Sequence, residues 1–467
     1  MLCCASSFQA GGGTVVGYYP DWNRGAYPYN LIAYQNLTHI AHAFLIPNSD
    51  GSLGGVSGFA YPQMVQAAHQ AGVKVIVALG GWGGSGGFPG MAADTASRRR
   101  FIQNLVGFCQ TYNYDGVDLD WEYPANATER TNLTLLVHEL RQAFAGVNRP
   151  LSISLAVPGG EWSGRWFDVG QMKNDVDWFG VMTYDYHGSW TSTSGPNSPV
   201  YRGPLNTQGC MDDAVSYYVN TRALPADKIL IGIPFYAWVF NASTMYGPSS
   251  GASQKIYSSI APNLAQGWNR YWDDVGLVPY MINPGATQVI SYDDTMSVRM
   301  KCSYAAGKGV QGAMIWAIGQ DYLNGEQTLL NAVGREFRLV SDISPSAGQE
   351  LPAKVSLEQS YPNPFNPTTV VRYQLPVASE VKLVVCDMLG RVVSVLVNER
   401  RDAGVHEVKF DGANLASGVY VYRLQARQID GGQAPIESGQ AGDPSTGSGP
   451  RGKSEGFVQT KKLVLLK

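Results

Sequence analysis

The sequence of 467 residues has few charged side chains and almost no net charge. Charged residues make up only 15% of the chain, and 34 Lys and Arg against 37 Asp and Glu leave a net charge of −3. Because binding to a polyanion needs a strong excess of basic residues, this balance argues against a nucleic-acid partner. The sequence also lacks a run of about 18 apolar residues that could span a bilayer as a helix. Its 44% of hydrophobic residues indicates instead a folded protein with a large core.

Cysteine is scarce and shows no metal-binding pattern. The six cysteines form no CxxC pair and no Cys/His spacing typical of zinc, so we expect neither a metal nor a cofactor. For Cys109, Cys210 and Cys302 the sequence leaves open a disulfide among them or three buried thiols. Residues 1–10 lack the basic and long apolar regions of a complete signal peptide, and we interpret residues 1–13 as the remnant of a leader.

From residue 14 to residue 340, short apolar runs alternate with longer amphipathic stretches, which is typical of parallel strands covered by helices. Helices are predicted at 62–71, 96–112 and 127–147. A doubly wound sheet would alternate in the same way, but eight runs and no Gly-rich loop after the first favour a (β/α)8 TIM barrel. The eight predicted strands are residues 14–19, 39–45, 73–79, 116–120, 151–157, 176–184, 229–234 and 312–318.

The longest interval between predicted strands predicts a small insertion after strand seven, at about residues 238–290 on the catalytic face. The composition then changes: residues 341–354 are polar and read as a linker. From 355 to 467, period-two runs separated by turn signals predict a small antiparallel β-sandwich, with strands at 370–376, 381–387, 406–412, 418–424 and 457–466. Residues 429–456 are rich in Gly, Ser and Pro and predict a flexible loop.

Three acidic residues alternate along the fourth predicted strand. Because successive side chains on a strand point to opposite faces, Asp118, Asp120 and Glu122 are expected to point together into the barrel, toward its C-terminal mouth. Like charges held so close cannot all stay ionised, so their pKa values are driven apart. Glycoside hydrolysis needs such a site, because one carboxylic acid must stay protonated near neutral pH. A Mg²⁺ or Ca²⁺ site is the alternative, but no further acidic or His cluster obviously completes a coordination shell.

The segment 115–124, DGVDLDWEYP, resembles the DxxDxDxE signature of glycoside hydrolase family 18. Other segments resemble motifs of the same family in the same order: residues 17–20, 42–44, 79–82, 182–185, 291–294 and 314–316. The resemblance implies a secreted chitinase that cuts chitin or chito-oligosaccharides. Its implied mechanism is substrate-assisted, with the sugar's 2-acetamido oxygen as the nucleophile and retention of configuration.

The resemblance also implies a role for each residue of the site. Glu122 is then the acid and later the base, Asp120 orients the acetamido group, and Asp118 shares the proton with Asp120. Tyr184 donates to the acetamido oxygen, and Asp185 lies close to the reacting sugar.

For the sugar-binding surface, the resemblance makes Trp316 the floor under the distorted sugar, with Trp82 and Trp190 on the leaving side. The remaining implied substrate-binding residues are Tyr18, Phe44, Gly81, Tyr123, Met182 and Tyr236.

Two positions depart from the family pattern. Ala78 stands where the family usually has a Ser expected to hydrogen-bond Asp118, which predicts a shifted pH profile without loss of activity. Trp238 stands after the seventh strand where many members carry Arg, which puts the substrate contacts on the insertion side in doubt.

The C-terminal region carries a second resemblance. Residues 360–369, 387–391, 416–420 and 461–467 resemble a type IX secretion sorting domain. This implies export by the type IX secretion machinery and a location outside the cell or on the bacterial cell surface. The alternative, a carbohydrate-binding module, is less favoured because no Trp follows residue 316.

Three functions are therefore weighed. A chitinase, expected to act as a monomer, ranks first. An endo-β-N-acetylglucosaminidase on glycoprotein glycans ranks second, because the insertion favours a deep cleft and a linear chain. An inactive chitin-binding lectin ranks third, because such proteins typically lose the acid and here all three acidic residues are present.

Overall fold

The computed structural model describes residues 12–337, 354–360, 363, 365, 367–428 and 457–465. The chain divides into two compact units, residues 1–343 and 344–467. Across the described ranges, no helix is both long enough and apolar enough to cross a membrane. Of the proposed leader at 1–13, only residues 12 and 13 lie within these ranges, and of the proposed linker at 341–354 only Lys354 does. The Gly-rich loop at 429–456 lies entirely outside them.

The first unit is a closed parallel barrel, as the sequence predicted. Its first strand pairs in parallel with both the second and the last, which closes the sheet. All eight strands overlap the predicted runs, and a short strand, Leu53–Gly54, pairs antiparallel with the second. The barrel strands are Thr14–Pro20, His39–Pro47, Lys74–Gly80, Gly116–Asp120, Ser152–Pro158, Trp178–Met182, Ile229–Pro234 and Gly312–Trp316.

Helices cover the outside of the barrel, and their sequences explain where they begin. The helix Ala127–Ala145 starts where the Asn126 side chain accepts a hydrogen bond from the Glu129 amide. Its buried residues recur at helical spacing, from Leu133 to Phe144. The described α-helices of this unit are Pro62–Gln70, Phe88–Ala93, Thr95–Tyr112, Ala127–Ala145, Glu161–Gly164, Val169–Met172, Met211–Ser216, Tyr257–Ile260, Thr295–Lys308 and Thr328–Phe337.

The core has two parts. The larger lies between strands and helices, where alternate strand residues such as Leu119 and Leu155 are buried. The smaller fills the barrel and uses compact side chains such as Ala41 and Ala78 around Met314. Cys109, Cys210 and Cys302 are free and buried, which selects the buried-thiol interpretation.

The predicted insertion forms a five-stranded antiparallel sheet. It begins at Tyr236, two residues before the predicted boundary, directly after the seventh barrel strand. The carboxyl ends of barrel strands carry the active site in this fold, so the sheet starts at the catalytic face. In spatial order its strands are Ala252–Ile256, Tyr236–Phe240, Val289–Ser291, Val278–Ile282 and Asn269–Asp273.

The second unit contains two antiparallel sheets whose residues share one core, in agreement with the predicted sandwich. Val371 and Tyr373 from one sheet join Leu383 and Tyr422 from the other. The strand Val392–Arg401 was not predicted. The three-stranded sheet contains Ser356–Leu357, Thr368–Leu375 and Gly404–Asp411, and the four-stranded sheet contains Val392–Arg401, Ser379–Cys386, Gly418–Gln428 and Phe457–Leu465.

Candidate active site

The fourth barrel strand delivers the acidic residues to the interior of the barrel. Gly116 opens the strand at φ +153°, and a Cβ there would lie 2.2 Å from the Ser152 carbonyl oxygen. Only glycine therefore allows the fourth and fifth strands to approach so closely. Leu119 and Trp121 are buried on the helix side, while Asp118 and Asp120 are buried on the other face.

Asp118 is held by hydroxyl donors from two other strands. Tyr18 on the first strand donates to Oδ2 and Ser154 on the fifth donates to Oδ1, each at 2.6 Å. Burial raises the pKa of Asp118, and these two hydrogen bonds oppose the rise. The hydroxyl absent at Ala78 therefore leaves neither carboxylate oxygen of Asp118 without a donor.

Asp120 lies at the end of the strand and has an unused acceptor. Its Oδ1 is buried and has no hydrogen-bond partner among the described residues. The pKa of Asp120 is raised well above its ordinary value by burial and by the charges of Glu122 and Asp118. A buried oxygen without a donor is costly, so a ligand N–H at this position would remove that cost.

Glu122 follows the strand and is half-buried. Its backbone N–H donates to the Ser85 hydroxyl at 2.9 Å, which fixes the start of this loop. Burial raises the pKa of Glu122 to about 7, the Tyr123 hydrogen bond opposes the rise, and the charge of Asp185 adds to it. A carboxylic acid with this pKa remains a proton donor near neutral pH.

The pH dependence of kcat/KM should report this carboxyl. As the pH rises through about 7, Glu122 loses its proton. If Glu122 is the proton donor that the family resemblance implies, kcat/KM should fall on the alkaline side with an apparent pKa near that value. Initial rates on a chitin oligosaccharide across the pH range measure it. An alkaline limb at the ordinary pKa of a glutamate would contradict this assignment of the proton donor.

A fourth carboxyl group, that of Asp185, lies near Glu122 on the loop after the sixth strand. Asp185 has φ +59°, and its N–H donates to Asn197 Oδ1 at 2.9 Å. Its Oδ1 accepts from the Tyr236 hydroxyl at 2.7 Å and from Trp238 Nε1 at 2.8 Å. Burial raises the pKa of Asp185 and the two donors oppose the rise.

Tyr184, the residue before Asp185, has a hydroxyl with only a weak partner. The hydroxyl donates to Met314 Sδ at 3.9 Å, and thioether sulfur is a poor acceptor. The Tyr184 ring meets the Tyr236 ring edge-on at 6.0 Å. The Tyr184 ring is therefore held in place, while its hydroxyl can still donate to a ligand.

Aromatic rings line the barrel mouth beside these carboxylates. Phe44 stacks on Trp316 with ring centroids 5.7 Å apart, and Tyr18 meets Trp316 edge-on at 5.6 Å. Gly81 passes under Phe44 at φ +74°, and a Cβ there would lie 2.6 Å from the Phe44 ring. Met182 packs with these rings against the core inside the barrel. The mouth thus has an apolar wall opposite the acidic strand.

The two tryptophans expected on the leaving side are exposed. Trp82 is 85% exposed and Trp190 is 58% exposed. Trp190 meets Trp238 edge-on at 5.3 Å. The structure therefore brings the predicted site residues into one connected group, with Trp82 at its margin next to Gly81.

Three further residues at the barrel mouth were not identified from the sequence. Ser154 lies directly opposite Asp118 in the strand register, and period two in the fifth strand could have shown that it points inward. Trp22, after the first strand, and Trp162, after the fifth, are 67% and 76% exposed. Trp162 meets Tyr123 edge-on at 6.3 Å. Their positions just after strand ends were the available signal.

Changing the hydroxyl donors around Asp118 should move the acid limb of the pH profile. Ser154→Ala removes a hydrogen bond that lowers the pKa of Asp118, so we expect the acid limb of kcat/KM to move to higher pH. Ala78→Ser adds a donor where Ala78 pairs in register with Asp118, so its limb should move to lower pH. We expect the acid limb of kcat/KM to shift in opposite directions in the two variants. If both pH profiles match the wild type, Asp118 does not determine the acid limb.

The described residues do not offer a metal site. No group of three or more His, Cys, Asp or Glu side chains in those ranges could hold a metal ion. Asp118 accepts from two hydroxyl groups, and the charges of Glu122 and Asp118 raise the pKa of Asp120, an environment suited to sharing protons.

Comparison with known proteins supports this interpretation of the geometry. Residues 14–321 match the model of glycosyl hydrolases family 18, and residues 359–431 match the secretion system C-terminal sorting domain. The first match contains all eight barrel strands and the insertion.

Similar proteins carry chitinase names. A probable endochitinase from Caenorhabditis elegans is 33% identical over 300 residues, which is 59% of this chain and 48% of that protein. This chain therefore spans about half the length of that relative. Chitinase 1 from Aphanocladium album is 29% identical over 342 residues, 64% of this chain and 79% of that protein.

A solved structure shares the fold of the first unit. The Group IV chitinase of Ostrinia furnacalis in complex with allosamidin has a TM-score of 0.65 and 28% identity, and the similarity covers 69% of this chain and 98% of that one. The family match extends over most of the chain, and the barrel and its acidic strand agree with it. This chain therefore belongs to glycosyl hydrolase family 18, and its C-terminal unit is a secretion sorting domain.

Proposed function

We propose that the chain is a secreted chitinase that hydrolyses β-1,4 linkages between N-acetylglucosamine units by substrate-assisted, retaining catalysis. The observation that carries the proposal is the pairing of two features at the end of the fourth strand. Asp120 has a buried Oδ1 without a partner among the described residues, and Glu122 beside it has a pKa raised to about 7. An acetamido N–H and a glycosidic oxygen are the groups that these two carboxyls fit.

In the first step Glu122 gives its proton to the glycosidic oxygen, and the C1–O bond breaks. The acetamido oxygen of the same sugar forms a bond to C1 and gives a cyclic oxazolinium ion. Asp120 accepts the acetamido N–H and stabilises the positive charge, while Tyr184 donates to the acetamido oxygen and orients it. Asp118 shares a proton with Asp120.

In the second step a water molecule attacks C1 from the side that the leaving group vacated. Glu122, now ionised, accepts the proton from this water, and the C1–O bond to the acetamido oxygen breaks. Two inversions at C1 give net retention of configuration. Glu122 is protonated again at the end, so the site is ready for the next cycle.

Stacking on aromatic rings places the sugar for these steps. Trp316 forms the floor, with Tyr18 and Phe44 beside it at 5.6 and 5.7 Å, and each ring–sugar contact contributes a modest gain. Tyr123, Met182 and Tyr236 complete the pocket around the reacting sugar. Trp82 and Trp190 are exposed and offer platforms for the leaving part of the chain.

Secretion is proposed to proceed by the type IX machinery, which would recognise the C-terminal unit as the sorting signal. This follows from the sorting-domain match at residues 359–431. The secreted enzyme would then act outside the cell or on its surface, where it can reach an insoluble polysaccharide.

The experiment that tests the proposed function compares substrates for the purified chain. We expect soluble sugars, mainly the disaccharide, from chitin and chitin oligosaccharides, and no glycan release from an N-glycosylated protein. Glycan release without chitin cleavage would assign the endo-β-N-acetylglucosaminidase activity. Binding of chitin without turnover would assign a lectin.

A further inference from the structure

Trp238 contacts both the carboxylate of Asp185 and the exposed ring of Trp190. It lies on the first strand of the insertion sheet, Tyr236–Phe240, and is 5% exposed. Because side chains alternate along a strand, Tyr236 and Trp238 share one face. Both donate to the same oxygen of Asp185, at 2.7 and 2.8 Å.

Neither of these donors carries a charge. An indole N–H is a donor only and does not titrate in the working range. In the part of the chain that the structure describes, no salt bridge to Asp185 is found. The titratable groups around Asp185 are Glu122, Tyr123, Tyr184 and Tyr236, and none of them is a cation.

The ring of Trp238 also contacts Trp190. The two rings meet at 87° with centroids 5.3 Å apart, the edge-to-face geometry that aromatic pairs prefer. Trp190 also lies against Gly188, where a Cβ would be 2.4 Å from the ring. An exposed ring held by two contacts is a preformed platform, because little freedom remains to be lost when a sugar stacks on it.

We propose that Trp238 is a positioning residue that fixes the Asp185 carboxylate through its N–H and braces Trp190 through its ring. This inference rests on the proposed function and extends it to a residue of the insertion. The Trp238 side chain then influences both the pKa of Glu122, through Asp185, and the binding of the leaving part of the sugar chain, through Trp190. The two contacts use different parts of the indole, so substitutions can separate them.

Trp238→Phe keeps a ring and removes the N–H. Losing this donor raises the pKa of Asp185, so Asp185 carries less negative charge near neutral pH. The charge of Asp185 contributes to the raised pKa of Glu122, so the alkaline limb of kcat/KM should move to lower pH. We also expect a fall in kcat of about 10-fold or more, the scale of a hydrogen bond to a charged group, with KM for chitin oligosaccharides nearly unchanged.

Trp238→Leu removes the N–H and the aromatic edge together. It should shift the limb as Trp238→Phe does, and should also raise KM by about 2- to 10-fold for oligosaccharides that reach Trp190, the scale of an aromatic pair. Trp272→Phe is the matched control, because Trp272 lies on another strand of the same sheet, Asn269–Asp273. It should leave the limb, kcat and KM as in the wild type.

The measurement is the full pH profile of kcat and KM on a chitin pentamer for the four proteins. If the Trp238 variants have the same alkaline limb of kcat/KM and the same kcat as Trp272→Phe, the proposed effect of Trp238 on Asp185 is overturned. An unchanged KM in Trp238→Leu would overturn the brace on Trp190. If the wild type itself does not cleave the pentamer, the proposed function fails and this inference fails with it, whereas an active wild type with unaffected variants overturns the inference alone.

Discussion

Replacing Glu122 by Gln is expected to lower kcat on chitin oligosaccharides by about 10²- to 10⁴-fold, the usual contribution of general acid–base catalysis. The amide keeps the size of the side chain but has no acidic proton for the leaving oxygen and no basic site for the water. Oligosaccharide binding should persist, because the rings around Trp316 remain in place. Steady-state rates and calorimetric binding on the same protein preparations measure both effects.

The matched control for this variant is Glu161→Gln. Glu161 is exposed and begins the short helix Glu161–Gly164 after the fifth strand, so it lies at the same end of the barrel without belonging to the acidic strand. It should keep nearly full activity. If Glu122→Gln retained more than about a tenth of the wild-type kcat, an effect below the range expected of a general acid, another group would have to be the proton donor.

Replacing Lys301 by Met is expected to lower the free energy of unfolding of the barrel by about 3–5 kcal/mol. The side chains of Lys301 and Asp293 are 0% and 1% exposed, and Nζ lies 2.6 Å from Oδ2. The same Nζ donates to the Ser198 hydroxyl at 2.7 Å. Removing the ammonium leaves a carboxylate buried without its cation, which accounts for most of the cost.

Urea unfolding followed by tryptophan fluorescence measures this effect in the full chain. Every Trp lies at or before residue 316, so the signal comes from the barrel unit alone. Lys308→Met is the control, because Lys308 is on the same helix and pairs with Asp212 while both are partly exposed, at 44% and 32%. A surface pair of this kind is worth about 0–1 kcal/mol. Equal losses in the two variants would contradict the account of the buried pair.

The acidic strand shows what the sequence could predict. Alternation alone placed Asp118 and Asp120 on one face and Leu119 on the other, because a strand has a period of two. The eight strands were found from a different signal, since buried parallel strands are short apolar runs with helices between them. Local pattern and fold agree along this part of the chain.

Contacts between distant segments could not be predicted in the same way. The hydrogen bond from Trp238 to Asp185 depends on how the insertion sheet packs against the loop after the sixth barrel strand. No local sequence pattern predicts that packing. The strands of that sheet are short, and their burial ranges from mostly exposed in Ala252–Ile256 to fully buried in Tyr236–Phe240. In the second unit, Val392–Arg401 was missed because it has a single fully buried residue, Val397, and an irregular register with its neighbour.

The central claim is that the acetamido group of the substrate is the nucleophile at the site formed by Asp120 and Glu122. Proton NMR during the first minutes of hydrolysis of partly deacetylated chitosan tests it most directly, because one spectrum shows both the identity and the anomeric form of each new reducing end. The account predicts that every new reducing end is N-acetylated and first appears as the β-anomer. Deacetylated reducing ends, or an initial α-anomer, would contradict it.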